Sequence, residues 1–192
     1  MTIVKLDPLP ARRKRRTFLS GFTLSATAIA LLAGNEKLGL VGTASAQTAN
    51  NDVTILNSAL GAEQQAIAAY QLGAESGLLQ KPVLDLAVTF QGHHKEHAEV
   101  LRSTITKLGG KPVEAKAKYT FPVENLKTQA DVLKFAASLE KGAVSAYLGA
   151  VPVFHSRDLA KAAASILGDE AMHWAVLRNA VGEAPVPAAF IS

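Results

Sequence analysis

The chain has 192 residues, a formal net charge of +4 and no cysteine, which excludes disulfides and thiolate metal ligands. Seven basic and two acidic residues fall within residues 1–46, so that segment holds +5 and residues 47–192 carry −1. The basic character belongs to the first segment alone, and the remainder offers no basic surface for nucleic acid.

Residues 1–46 have the anatomy of an export signal. Arg12, Arg13, Lys14, Arg15 and Arg16 form a basic run, residues 18–34 a moderately apolar stretch, and Ala44-Ser45-Ala46 a small-residue cleavage motif before Gln47. Arg15-Arg16-Thr17-Phe18-Leu19 resembles the twin-arginine consensus, and Gly21, Thr23, Ser25 and Thr27 dilute the apolar stretch as that route favours. The resemblance implies the twin-arginine translocase as a partner during export, and a periplasmic or otherwise exported location. A retained anchor is the rival reading, but Leu24 to Gly34 falls short of the roughly 20 residues of a spanning helix. Residues 47–192 are then expected as one domain, with no stable membrane anchor after cleavage.

Four segments of that domain carry helical periodicity. The first runs from about Asp52 to Gly77, with Val53, Leu56, Leu60, Ile67, Tyr70 and Ala74 on one stripe. The second opens at Pro82 and closes at Gly109-Gly110. The third begins near Thr128, with Asp131 placed for a capping box, and stops before Pro152; the fourth runs from about Ser156 to Gly182. Short connections make helices one and two, and three and four, antiparallel hairpins. Residues 110–127 between the hairpins can extend up to roughly 60 Å, against roughly 37 Å for a 25-residue helix. The segment is long enough to cross the whole bundle and set helices two and three parallel. An up-down bundle with a loose loop is the alternative.

The second hairpin repeats the first. Residues 92–102 and 168–178 share Gly, His, Val, Leu and Arg in place, and Glu63 with Tyr70 corresponds to Glu140 with Tyr147. Such a duplication sets equivalent residues on opposite sides of a central axis.

Ionisable residues interrupt the apolar stripe of every helix. Glu63 stands between Leu60 and Ile67, His94 and His97 between Phe90 and Leu101, Glu140 between Ala136 and Val144, and Glu170 and His173 between Ile166 and Leu177. Buried charges are costly unless they pair or bind metal. Residues three apart on a helix share a face, so His94 with His97 and Glu170 with His173 can converge, with Glu63 and Glu140 free to bridge. Mixed carboxylate and imidazole ligands suit one or two iron or manganese ions, and imidazole also tolerates zinc or copper. Tyr70 and Tyr147 lie two turns along the same faces, where their hydroxyls can hold the ligands from behind. A hydrogen-bonded acid–histidine network without metal is the plainer reading. His93 reads as a solvated or supporting residue, His155 as structural and Trp174 as packing.

Glu63, the His94/His97 pair, Glu140 and Glu170-x-x-His173 resemble the ferritin-like superfamily of carboxylate-bridged dimetal proteins. Within it, the likeness is to the exported branch that includes desiccation-related proteins, and it covers most of residues 50–182. It implies an all-α ferritin-like four-helix bundle: two antiparallel hairpins joined by a long crossover. The departure is His94, which stands where the superfamily pattern has the glutamate of a second Glu-x-x-His. Three carboxylates leave two divalent ions short of one negative charge unless oxide, hydroxide or carbonate bridges them. Glu96 lies off the seam. The expectation is an exported metal protein reacting with oxygen or peroxide, with a non-catalytic stress or binding module as the alternative. Residues 184–192 form a short proline-containing tail with no sign of a cage-forming helix, and nothing specifies an oligomer.

Overall fold

The computed structural model describes residues 44–191. The basic and apolar stretches of the expected export signal lie outside the described residues. Four long helices carry the described part: α1 (Ala44–Glu75), α2 (Lys81–Lys107), α3 (Gln129–Ala150) and α4 (Arg157–Ala180). Single 3₁₀ turns at Val123–Asn125 and Val151–Val153 lead into and out of α3, and no strand occurs among the described residues.

Local signals account for most of the helix boundaries. Thr128 accepts from the Asp131 amide while the Asp131 carboxylate accepts from the Thr128 amide, so the expected capping box opens α3 in full. Ser156 accepts from the Leu159 amide at the start of α4. Gly109 and Gly182, just beyond α2 and α4, take φ of 78° and 79°, a conformation that halts a helix and costs a side chain energy. One element differs from expectation: α1 is already helical at Ala44, well before Asp52. Residues 44–50 are small and polar and carry no apolar stripe, so periodicity cannot detect a helix there.

The expected hairpins and crossover are both present. Gln80, at the start of α2, donates its backbone N–H to the side chain of Gln129, at the start of α3, over 2.8 Å. Two helices that begin side by side run parallel. The connection leaves Gly110 close against Val53, and is then stitched to α1. Asn57 donates to Lys111 O and accepts from Val113 N, and Gln64 donates to Val113 O. It ends with Phe121 edge-on to Phe135 of α3. Asp52 closes the opposite end, its two oxygens accepting from the amides of His155 and Ser156 at 2.8 and 3.0 Å, which fixes the start of α4 beside α1.

Two apolar layers fill the bundle. One gathers Leu56, Leu60, Leu101, Ile105, Tyr147 and Ile166; the other gathers Tyr70, Phe90, Leu133 and Leu177. The ionisable residues of the four stripes lie between them. No described helix is long and apolar enough to cross a membrane.

Asp52 is 4% exposed, so Asp52→Ala leaves two amides without an acceptor. The expected loss is about 1–3 kcal/mol of unfolding free energy, measured by urea denaturation, with Asp52→Asn losing less because it keeps one acceptor.

Candidate metal centre

All six residues expected at the centre meet at mid-bundle. Glu63 comes from α1, His94 and His97 from α2, Glu140 from α3, and Glu170 and His173 from α4. Five are at most 3% exposed, and His97 is 15% exposed at one edge. Phe90 stacks on His173 with ring centroids 3.9 Å apart, which fixes that imidazole against rotation.

The donors form two overlapping groups: Glu63, His94, His97 and Glu170 in one, and His94, Glu140, Glu170 and His173 in the other. In the first, Glu63 Oε2 lies 2.8 Å from His94 Nδ1 and 3.6 Å from His97 Nδ1. Glu170 Oε1 lies 3.2 Å from His97 Nδ1 and 3.5 Å from His94 Nδ1. In the second, Glu140 Oε1 lies 3.3 Å from His94 Nε2 and 3.5 Å from His173 Nδ1, which is 3.7 Å from Glu170 Oε2. His97 and Glu140 share neither group, so no single ion is framed by all six.

Two tyrosines brace the carboxylates across the bundle. Tyr147 of α3 donates to Glu63 Oε1 of α1 over 2.6 Å, and Tyr70 of α1 donates to Glu140 Oε1 of α3. Each hairpin thus grips the carboxylate of the other, as the internal repeat requires of residues related by an axis between them.

Asp169 belongs to the centre as well, although it lies off the apolar stripe of α4. Its Oδ2 lies 3.4 Å from His97 Nε2 and 3.2 Å from His173 Nε2, the ring nitrogens that face away from the carboxylate core. His93 sits beside it, with Nδ1 2.9 Å from His173 Nε2, and is 42% exposed, as a supporting residue at the rim. A carboxylate behind the far nitrogen of an imidazole fixes ring orientation and tautomer, a usual support for a metal-binding histidine. The signal for Asp169 was its place immediately before Glu170, in repeat register with His93. Glu96 is exposed and takes no part.

The electrostatics follow from packing opposite charges where water is excluded. Burial alone pushes the His94 imidazole down, but hydrogen bonds to Glu140 and Glu63, with the charge of Glu170, outweigh it and raise it to about 10. The same opposition raises His97 to about 9, through Glu170 and Glu63, and His173 to about 9, through Glu140 and Glu170. Burial pushes the Glu63 and Glu140 carboxyls up, yet their imidazole partners overcome it and hold both below the usual carboxylate range. Glu170 goes the other way: burial and the nearby Glu140 push it up beyond what its histidine neighbours offset. Burial, and then the adjacent carboxylates, raise both tyrosines, which therefore stay protonated donors.

The donor set fits a metal ion. Ligands bound at about 2.0–2.2 Å stand roughly 3.0–3.5 Å apart for angles between 90° and tetrahedral, and most of the separations above lie near that range. His97 Nδ1, His173 Nδ1 and both Glu170 oxygens are buried without a hydrogen-bond partner. The close approach of His97 Nδ1 to Glu170 is misaligned for a hydrogen bond, so these atoms remain unpartnered inside the two donor groups. The sequence profile of the ferritin-like domain family matches residues 51–183, which spans the four helices and all of these donors. The chain belongs to the ferritin-like domain family. Among solved structures, this ferritin-like domain is similar to a conserved hypothetical protein from Mycobacterium tuberculosis. Identity is 22%, the TM-score 0.64, and the match covers 77% of this chain and 99% of that one. At that identity the likeness shows a shared fold. No curated protein matches the chain.

The pKa directions set how the metal-free ferritin-like domain responds to pH. The three histidines are raised above the about 6.5 of an unfolded imidazole. Their stabilisation is whole below that pH and is lost as pH rises through about 9 to 10. Glu63 and Glu140 are lowered, so theirs is present above about pH 4.3 and lost as pH falls. The melting temperature of chelator-treated protein is therefore expected to peak between roughly pH 5 and 8 and to drop on both sides. A Tm that stays level as pH rises from neutrality to about 10 would contradict the assignment.

Proposed function

We propose that this is an exported ferritin-like protein that holds iron or manganese at the carboxylate–histidine cluster and uses it toward oxygen or peroxide. One observation carries the metal reading: four polar atoms on His97, Glu170 and His173 are buried within the two donor groups with no hydrogen-bond partner. Buried groups left this way are rare, and cations held in the two donor groups would satisfy them. Glu63 and His97 would complete one donor group, Glu140 and His173 the other, with His94 and Glu170 common to both. A bound iron or manganese ion would supply one-electron chemistry that the carboxylates and imidazoles of this centre do not offer.

The remaining residues have roles of their own. Tyr70 and Tyr147 each occupy one oxygen of Glu140 and Glu63 and keep that carboxylate from turning away from the core. Asp169 does the same for the outer nitrogens of His97 and His173. The two apolar layers keep bulk water from the site, while His93 and the edge of His97 leave one side open to a small molecule. Export rests on the Arg15-Arg16-Thr17-Phe18-Leu19 sequence and on Ala44-Ser45-Ala46 before Gln47. A twin-arginine route agrees with a site assembled from all four helices, which requires the fold before the metal.

A second reading is favoured by His94, which already pairs with Glu63 and Glu140 and so offsets part of their charge without metal. In that case the bundle is a binding or stress module, with any metal serving stability alone.

Elemental analysis of the protein, purified from its exported fraction without added metal, separates the readings. At least one ion per chain is expected, with most of it lost in the Glu63→Gln, Glu140→Gln double variant. Content well below one ion per chain, unchanged by that double substitution, would sink the metal reading. Adding oxygen or peroxide to the reduced, loaded protein should then change its absorption spectrum; an unchanged spectrum leaves the non-catalytic role.

A further inference from the structure

His94 occupies the place at which both donor groups overlap, and its ring is oriented for that place. Nδ1 faces Glu63 Oε2 at 2.8 Å and Glu170 Oε1 at 3.5 Å, whereas Nε2 faces Glu140 Oε1 at 3.3 Å. The two nitrogens of one imidazole therefore address different carboxylates, from different helices, in different groups. Glu170 is divided in the same way, with Oε1 toward His97 and Oε2 toward His173.

We propose that His94 is a bridging ligand which joins two metal ions through its two ring nitrogens, one ion in each donor group. Each ion then has a carboxylate and an imidazole of its own, Glu63 with His97 and Glu140 with His173, and shares His94 and Glu170 with the other. The charge count supports the assignment. Two divalent ions bring four positive charges and three carboxylates supply three negative ones. A ring bound at both nitrogens has released both of its N–H protons to solvent, the two ions taking their places, and the resulting imidazolate anion supplies the fourth. The histidine at a glutamate position thus keeps the site neutral with a planar aromatic bridge. The inference rests on the metal-binding reading above and adds the number of ions and the group that links them.

Copper(II) alone, added to the chelator-treated protein, is the probe, because an imidazole bridge couples two copper spins. The protein is expected to retain two copper ions per chain and to lose most of their low-temperature paramagnetic resonance signal. His94→Gln removes the imidazole path and leaves the Glu170 carboxylate as the shared group, so the coupling should weaken and part of the isolated-copper signal return. His94→Glu, which keeps the charge and replaces the bridge, should alter the coupling and serves if the Gln variant fails to fold. Retention of one copper per chain, two copper ions with full uncoupled signal, or coupling of unchanged strength in His94→Gln would overturn the bridge while leaving the metal site standing. Retention of no copper, together with no native metal, would overturn both.

Discussion

Everything in this molecule turns on the burial of three carboxylates and three imidazoles in one layer of a helical core. Removing a charge from water costs several kcal/mol even after relaxation, and six such groups cannot be accommodated by packing. They persist because each lies within reach of an opposite partner. Glu63 and Glu140 are held ionised by the histidines beside them, and those histidines are held protonated by the carboxylates. Glu170 breaks the pattern. It is the most buried of the six and the one whose carboxyl is pushed up, with neither oxygen satisfied. The centre is thus balanced everywhere except along the line from His97 through Glu170 to His173.

The bundle is arranged to hold that layer in place. Apolar layers on both sides give the four helices their contact surface, and each contributes one tyrosine to the polar layer, Tyr147 from one and Tyr70 from the other. The crossover is part of the same arrangement. With α3 set parallel to α2, Glu140 of α3 meets Tyr70 of α1 and His94 of α2 across the bundle. An isolated hairpin would hold half of the ligands and neither of the cross-bundle hydrogen bonds.

Much of this was legible in the sequence, and the reasons are specific. A charged residue inside an apolar stripe, as at Glu63 or Glu140, can be recognised from periodicity alone, because the stripe says which face is buried. The same logic found His94 with His97, Glu170 with His173, and the tyrosines. It could not find Asp169, which lies off the stripe and enters the site only because α4 packs with that edge turned to α2. Nor could it find the first turns of α1, where small polar residues form helix without any apolar pattern to reveal them. The division of His94 between two carboxylates is likewise a property of ring orientation, which depends on three other helices and is not written in the spacing of α2.

The asymmetry at His94 also bears on how such a site can arise. Two identical hairpins meeting about a true two-fold axis would have to present the same residue at both equivalent positions, two histidines or two glutamates. Joining the copies in one chain removes that obligation. With residues 110–127 as the tether, one copy is free to keep Glu170 while the other carries His94. The linker that appears at first to be only a length of chain long enough to reach across the bundle is what allows the two halves of the centre to become chemically different.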